Sequence, residues 1–162
     1  MRIAHLKYLA CPKCRGELTI LKAQKVSQIS IEVGVLQCSR CSKEFEIICH
    51  IPRFCFLENY ASSFGFQWTK HAKTQYDSYT ETNITETKFF NVTKWNRKLN
   101  GELILEVGSG SGRFTEQAAS TGAFVVSMDY TSAVDVNNAI NGDRDNVLIV
   151  QADIYNTILY YV

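Results

Sequence analysis

The last third of the chain alternates between two hydrophobic patterns. Residues 103–107, 124–128 and 147–150 are short, mainly apolar runs, which are typical of strands buried on both faces. Residues 113–121 and 132–142 lie between them and have helical periodicity. The order strand, helix, strand, helix, strand predicts an α/β fold, namely the first three strands of a partial Rossmann-like, doubly wound sheet.

End signals support these two helices. Gly122 and Gly142 follow the helical stretches and predict their ends. Ser132 and Asp135 are spaced as a capping box, which predicts that the second helix begins with reciprocal side-chain hydrogen bonds.

The first two thirds have a weaker pattern. Residues 18–21 and 29–33 carry strand-forming side chains and predict a hairpin, with Gly34 breaking the second run. An aromatic-rich stretch predicts one or two helices between Tyr60 and Tyr79 and another from Thr85 to Trp95. We therefore predict three parts: a small β-rich module over 1–57, a helical connector or cap over 58–100, and the half-sheet over 101–162.

Composition and charge narrow the classes of function. The 162 residues are 46% hydrophobic and 20% charged, as in a soluble globular protein, and no apolar run approaches the length of a membrane span. Residues 1–57 hold nine Lys or Arg against four Asp or Glu, whereas residues 101–162 hold two against eight. The basic part could contact an acidic partner, with nucleic acid the less favoured case and a solvated surface the more favoured one. The N-terminus does not resemble a signal peptide, and we expect a cytoplasmic protein.

All six cysteines lie within residues 1–57, so this part contains a candidate metal site. Two Cys-x-x-Cys pairs each allow one turn to direct two sulfurs at one tetrahedral ion, so we predict Zn²⁺ bound by Cys11, Cys14, Cys38 and Cys41. Reduced core cysteines are the alternative. Cys49 and Cys55 are predicted as small buried apolar residues, with His50 as a less favoured substitute ligand. Gly16 would let backbone N–H groups reach the sulfurs.

A family resemblance accompanies this pattern. Residues 6–14, 34–41, 45–47 and 51–54 resemble the zinc ribbon found ahead of many bacterial and archaeal methyltransferases, and the small zinc-ribbon activator subunit of some tRNA and protein methyltransferases. The family usually has Gly after the fourth cysteine and Asp-Gly before Ile-Pro. This chain has Ser42 and Cys49-His50 at those places.

A glycine-rich stretch follows the first predicted strand of the half-sheet. Gly108-Ser109-Gly110-Ser111-Gly112 lets the backbone approach a ligand closely, and the helix behind it offers free N–H groups. Asp129 ends the second strand, where a carboxylate can accept both hydroxyls of a ribose. The nicotinamide fingerprint needs Gly-x-Gly-x-x-Gly, but here the third glycine is one place early and Arg113 holds that position.

The run from Glu106 to Thr115 looks like the first motif of class I S-adenosylmethionine-dependent methyltransferases. The resemblance implies that Glu106 and the glycine loop hold the methionine part of the cofactor, that Asp129 holds the ribose, and that Asp153 lies near the adenine. A plain helix cap is the alternative for Asp153. The predicted cofactor-binding set is Glu106, Gly108, Ser109, Gly110, Gly112, Asp129, Tyr130 and Asp153.

The connector adds one further resemblance. Residues 64–68, with Gln67 and Trp68, and residues 75–77 resemble a segment that precedes the cofactor domain in the same enzymes. The resemblance implies a cap over the methionine end of the cofactor; aromatic packing onto the sheet is the alternative.

The resemblance ends near Asn156, where family members continue with further strands. We therefore expect an incomplete or truncated S-adenosylmethionine-dependent methyltransferase, with an unknown acceptor, low activity and weak or no cofactor binding. One alternative is a non-catalytic zinc-ribbon module that binds a protein partner. The other is a nicotinamide dinucleotide-binding protein.

Overall fold

The computed structural model describes residues 1–26, 29–55, 74–156 and 158–160. A 3₁₀ helix, Ile3–Tyr8, precedes four strands: β1 Leu18–Val26, β2 Ile31–Cys38, β3 Glu44–Ile48 and β4 Ile51–Pro52. These strands form an antiparallel sheet in the order β1-β2-β3-β4. We call the described residues 1–26 and 29–55 the cysteine module.

The remaining elements form a second, parallel sheet with its helices. Helices α1 (Asp77–Thr80) and α2 (Ile84–Thr93) come first, followed by β5 (Leu103–Val107), α3 (Arg113–Ser120), β6 (Phe124–Asp129), α4 (Ala133–Asn141) and β7 (Val147–Gln151). The sheet order is β5-β6-β7, with parallel pairing throughout. This mixed α/β architecture is compatible with a partial Rossmann-like fold, and the three strands and two helices predicted between residues 103 and 150 are confirmed. The helix predicted from Thr85 to Trp95 is present as α2, whereas most of the stretch from Tyr60 to Tyr79, where one or two helices are predicted, lies outside the described residues.

Two local predictions are wrong. Gly34 does not end β2 but lies inside it. Glycine is needed at this position because a Cβ there would come 2.6 Å from the carbonyl oxygen of Lys22 on β1. Ser132 makes no capping hydrogen bond; instead Thr131 Oγ1 accepts the N–H of Ala133, and Asp135 pairs with Arg53. Local spacing favoured the box, but a contact distant in sequence takes the carboxylate.

One apolar core joins the cysteine module to the parallel sheet. The cluster contains residues of the module, such as Cys11, Cys38 and Leu36, together with Val126 of β6 and Leu148 of β7. The metal-ligand candidates therefore contribute to the same packing as the strands that carry the glycine loop.

The apolar residues near position 160 also belong to this core. Ile158 and Leu159 are buried, and Leu159 forms an antiparallel bridge with Leu9 just ahead of the first Cys-x-x-Cys pair. The N–H of Ala10 donates to the carbonyl of Ile158 over 2.6 Å.

At the other side of the parallel sheet, β5 pairs with β6 alone among the described strands. Its side chains Leu105 and Val107 are exposed. Within the described ranges, the helices are all too short or too polar to span a bilayer.

Candidate functional site

The four cysteines of the two Cys-x-x-Cys pairs form one cluster. All four Sγ atoms lie within 4.8 Å of one another, with 3.7 Å between Cys11 and Cys41 and 3.4 Å between Cys14 and Cys38. A tetrahedral ion with Zn–S bonds of about 2.3 Å would hold its sulfurs about 3.8 Å apart. The sulfur spacing therefore fits a four-thiolate metal ion, and it is too wide for disulfides.

Backbone N–H groups point at these sulfurs. The N–H of Gly16 bonds to Cys14, and the N–H groups of Arg40 and Cys41 bond to Cys38. Burial raises the pKa of the Cys38 thiol, but the two N–H groups and the neighbouring thiols outweigh it and lower the pKa to about 6. Since metals bind the thiolate, this turn favours the form that a metal needs.

Glycine at position 16 is required by the cluster. A Cβ there would lie 2.8 Å from Cys38 Sγ and 3.3 Å from Cys14 Sγ.

The residues at which this chain differs from the zinc-ribbon pattern have a left-handed backbone conformation. Ser42 has φ +57°, and Cys49 and His50 have φ +51° and +67°. The prediction that Cys49 is buried is wrong, since its side chain is exposed, whereas Cys55 is half-buried. His50 Nδ1 lies 3.2 Å from the carbonyl oxygen of Ile31, and His50 is not part of the sulfur cluster.

The glycine loop, residues 108–112, is bonded to the end of β6. The N–H groups of Gly108 and Ser109 both donate to the carbonyl of Met128, at 2.9 and 3.1 Å. The N–H of Gly110 donates to Oδ2 of Asp129 over 2.8 Å. Two predicted cofactor residues, Gly110 and Asp129, are therefore in direct contact.

Asp129 is already engaged by its own neighbourhood. Its Oδ1 accepts the N–H of Thr131 at 2.8 Å and the Thr131 hydroxyl at 2.7 Å, in addition to the Gly110 bond on Oδ2. A carboxylate can accept about four hydrogen bonds. Counted over its bonds to the described residues, the carboxylate has one position left for a ligand, so accepting two ribose hydroxyls requires the exchange of one of these bonds.

Glu106 is anchored by only one of its oxygens. Oε2 accepts the hydroxyls of Thr115 at 2.5 Å and Ser127 at 2.9 Å, whereas Oε1 accepts no hydrogen bond from the described residues. Burial raises the pKa of Glu106, and the two hydroxyl donors lower it in part. A desolvated carboxyl with one oxygen unused is suited to a cationic group on a ligand.

Below the loop lies a buried amide network that sequence reasoning missed. Asn137 and Asn141, four residues apart on α4, are both fully buried. Asn137 Nδ2 lies within hydrogen-bond distance of the hydroxyls of Ser109, Thr115 and Ser127, at 3.3, 3.0 and 2.9 Å. Asn141 Nδ2 lies near the oxygens of Tyr76, Gly112 and Asn137, at 3.1, 3.2 and 2.9 Å. The i, i+4 spacing of Asn137 and Asn141, which places both side chains on one face of α4, was the signal available in the sequence.

Tyr76 links the connector to this network. Its side chain is fully buried, and its hydroxyl donates to the carbonyl of Ser111 in the glycine loop. Tyr76 thus contacts both the glycine loop and α4. Residues 64–68, including Gln67 and Trp68, lie outside the described residues.

Gly108 and Gly112, at the two ends of the glycine loop, have different surroundings. A Cβ on Gly112 would lie 2.0 Å from Asn137 Oδ1, and φ is +93° there. A Cβ on Gly108, where φ is +72°, would meet no described atom within 4 Å. Gly112 is therefore required by the packing of α4, whereas Gly108 faces open space.

The last two predicted cofactor residues border the ends of β6 and β7. Asp153 is half-buried; its Oδ1 accepts the N–H of Tyr155 at 3.0 Å and its Oδ2 the amide of Asn156 at 3.3 Å. These bonds belong to a turn after β7, and no helix follows Asp153 within the described residues. The carbonyl of Tyr130 accepts the side-chain amide of Gln151 at 3.0 Å.

Comparisons with known proteins give a local similarity. No family model matches the chain. The phosphoethanolamine N-methyltransferase of Triticum aestivum is 40% identical over 55 residues, which make up 33% of this chain and 11% of that protein. A solved structure of Haemonchus contortus phosphoethanolamine N-methyltransferase 1, in complex with phosphoethanolamine and S-adenosylhomocysteine, is 20% identical with a TM-score of 0.39, covering 61% of this chain and 22% of that one. The chain therefore spans a small part of either protein.

Proposed function

We propose that this chain carries the methyl-donor site of an S-adenosylmethionine-dependent methyltransferase, next to a structural zinc site. The observation that carries the proposal is the arrangement at the carboxyl ends of β5 and β6. There a glycine loop lies between Asp129 and Glu106, one of whose carboxylate oxygens accepts no hydrogen bond from the described residues. The 40% identity to a methyltransferase over 55 residues supports it. The acceptor is left open.

The residues present fit the methionine and ribose parts of such a donor. Glu106 Oε1 would accept the ammonium group of the methionine part, since a half-buried carboxylate gains most from a cationic partner. Gly108 would allow the closest approach, because the space beside its Cα is open. Asp129 would accept a ribose hydroxyl at its remaining position.

Bound S-adenosylmethionine would supply a sulfonium-activated methyl group for transfer to a nucleophile. The part played by this chain is to hold the donor in a fixed orientation, which lowers the entropic part of the barrier. The buried amides of Asn137 and Asn141 would serve this by keeping the glycine loop in one conformation.

The zinc proposal depends on the four sulfurs. Cys11, Cys14, Cys38 and Cys41 complete a tetrahedral shell and leave no open position, so the metal would be structural. Elemental analysis of the purified chain should give about one zinc per chain, lost on the change Cys38→Ser.

Titration calorimetry of the zinc-loaded chain with S-adenosylhomocysteine tests the donor site. We expect saturable binding that Asp129→Asn weakens about tenfold, because a charge-assisted acceptor is removed. Asp143→Asn makes the same charge change at an exposed position outside the loop and is expected to leave binding unchanged. A chain that is folded and zinc-loaded but does not bind the ligand at millimolar concentration would overturn the proposal. Tighter binding of a reduced nicotinamide dinucleotide would favour that alternative instead.

A further inference from the structure

The cysteine module and the parallel sheet meet at Arg53, directly after β4. Arg53 forms a parallel bridge with Gln151, the last residue of β7, and the N–H of Phe54 donates to the Gln151 carbonyl over 2.8 Å. The chain leaving the module thus extends the parallel sheet at the edge of β7. This junction lies at the carboxyl end of β7, the same end at which the glycine loop follows β5.

The Arg53 side chain is buried and paired with two partners. It is 6% exposed; Nη1 donates to Gln151 Oε1 at 2.9 Å, and Nη2 lies 2.5 Å from Asp135 Oδ1 on α4. A buried guanidinium is costly unless its donors are paired in a fixed geometry; Nη1 and Nη2 are paired, whereas Nε has no hydrogen-bond partner among the described residues. Arg53 therefore fixes the positions of Gln151 and Asp135 relative to each other.

Gln151 passes this constraint to the loop that follows β6. Because its Oε1 accepts from Arg53, its Nε2 is turned towards the Tyr130 carbonyl, to which it donates over 3.0 Å. Tyr130 lies between Asp129, whose carboxylate accepts from the glycine loop, and Thr131, whose N–H and hydroxyl donate to that carboxylate. The guanidinium is thus two hydrogen bonds from the backbone that presents Asp129.

We propose that Arg53 is a positioning residue for the donor site. Acting through Gln151 and Asp135, it holds residues 129–131 in the conformation that presents the Asp129 carboxylate, so the cysteine module supports one side of the site. This inference rests on the proposed donor-binding function.

Arg2 provides a matched comparison at the same boundary. Its Nη2 lies 2.6 Å from Asp145 Oδ1 and donates to the Asp143 carbonyl at 2.9 Å. Both partners precede β7, at the opposite end of that strand from Gln151. Arg2 thus also joins the module to the second part of the chain, but it has no hydrogen bond to the 129–131 loop.

The test compares Arg53→Met with Arg2→Met in the full, zinc-loaded chain. Methionine keeps an apolar stem and removes the guanidinium. We expect Arg53→Met to raise the dissociation constant of S-adenosylhomocysteine at least tenfold, and Arg2→Met to change it less than twofold. Urea unfolding of each variant establishes that both are folded at the temperature of the titration.

Two further measurements separate positioning from general destabilisation. Gln151→Glu keeps the acceptor for Arg53 but replaces the donor that faces Tyr130 with a carboxylate oxygen, so it should weaken binding to a similar extent even if Arg53→Met does not fold. Methylthioadenosine, which has the ribose but no amino-acid group, should lose affinity in Arg53→Met by the same factor as S-adenosylhomocysteine. Glu106→Gln should weaken S-adenosylhomocysteine alone.

The possible results are distinct. If the unmodified chain binds neither ligand, the proposed function fails and this inference fails with it. If the unmodified chain binds while Arg53→Met and Gln151→Glu both stay within twofold of it, the inference is wrong and the function stands. An equal loss in Arg2→Met would show that docking of the module in general, and not Arg53, sets the affinity, and would also overturn the inference.

Discussion

The cysteine cluster and the glycine loop are both short motifs, but they are built in different ways. Each cysteine pair lies within one turn, and N–H groups of residues next to the cysteines, such as Gly16 and Arg40, bond to its sulfurs. The glycine loop is held by α4, by the end of β6 and by Tyr76, which are distant in sequence. Spacing alone is therefore enough to identify the first site, whereas the second depends on contacts that no local pattern records.

The cysteine cluster and the strands next to the glycine loop nevertheless share one core. Cys11 and Cys38 belong to the same apolar cluster as Val126 and Leu148. We expect Cys38→Ser, or removal of zinc by a chelator, to destabilise the whole chain by at least about 3 kcal/mol, because structural zinc sites contribute this much or more to folding. Circular dichroism and fluorescence should then report a single unfolding transition.

Cys49→Ser is the matched control, since Cys49 is an exposed cysteine outside the cluster. It should retain zinc and stability. Two separated transitions in the metal-free chain would show that the module and the sheet fold independently, contrary to the shared core.

The second prediction separates the two kinds of loop glycine. Gly112→Ala should cost about 2–4 kcal/mol, because its Cβ would overlap Asn137 at a position with φ +93°. Gly108→Ala should cost only about 1 kcal/mol of backbone strain, since no described atom lies near its Cβ. We expect Gly108→Ala to be the variant that loses affinity for S-adenosylhomocysteine beyond its loss of stability.

Urea unfolding and calorimetry on the two variants measure these effects. Gly112→Ala should cost less stability in an Asn137→Ala background than in the unmodified chain, because the overlap is absent there, while Asn137→Ala alone measures the loss of the hydrogen bonds of Asn137. An equal cost in both backgrounds would mean that the amide of Asn137 does not set the requirement for glycine at position 112.

The elements of the parallel sheet could be predicted from sequence because each strand is a short apolar run, buried along most of β6 and β7, and because Gly122 and Gly142 follow the two helices. The clustering of the four sulfur atoms was also evident from the spacing of the two Cys-x-x-Cys pairs. The capping role assigned to Asp135 failed because Arg53, which is 82 residues away, takes its carboxylate. The prediction for Gly34 was wrong because the need for glycine there comes from the close approach of the neighbouring strand, β1.

For the site residues too, positions could be predicted from the sequence but contacts between distant residues could not. Glu106 and Asp129 could be placed by their positions at strand ends, but their hydrogen-bond partners could not. Thr115 and Ser127 reach Glu106, and Asn137 reaches both of their hydroxyls, only after the sheet is assembled. Polar side chains inside apolar elements carry no distinctive spacing unless, as with Asn137 and Asn141, they repeat on one helical face.

The third prediction concerns the pH dependence of the glycine-loop site. Burial raises the pKa of Glu106 in the folded chain above its ordinary value. Because a cationic ligand group needs the ionised carboxylate, affinity for S-adenosylhomocysteine should fall as the pH is lowered through that raised pKa. Stability has the opposite sign: the contribution of Glu106 is fully present below its unfolded pKa and is lost as the pH rises through its folded pKa.

Glu106→Gln should bind S-adenosylhomocysteine about tenfold more weakly and should remove this part of the pH dependence. Calorimetry between about pH 5 and pH 7.5 measures both effects. An unchanged pH profile in Glu106→Gln would show that the ligand does not use this carboxylate.

The smallest effect is expected at the turn between β3 and β4, within the region where local sequence matters most. Ile48 pairs with Ile51, and the two residues between them, Cys49 and His50, both have positive φ, as a type I′ turn requires. Asparagine tolerates the left-handed region better than cysteine, so Cys49→Asn should stabilise the chain by about 0.5 kcal/mol. Cys49→Val, which places a β-branched side chain at the same exposed position, should destabilise it by about 1 kcal/mol.

Urea midpoints at constant slope measure both changes, and neither variant should alter zinc content or ligand affinity. If both variants unfolded at the same midpoint as the unmodified chain, the backbone at position 49 would not limit stability, and the departure from the Asp-Gly pattern of the family would have no energetic consequence.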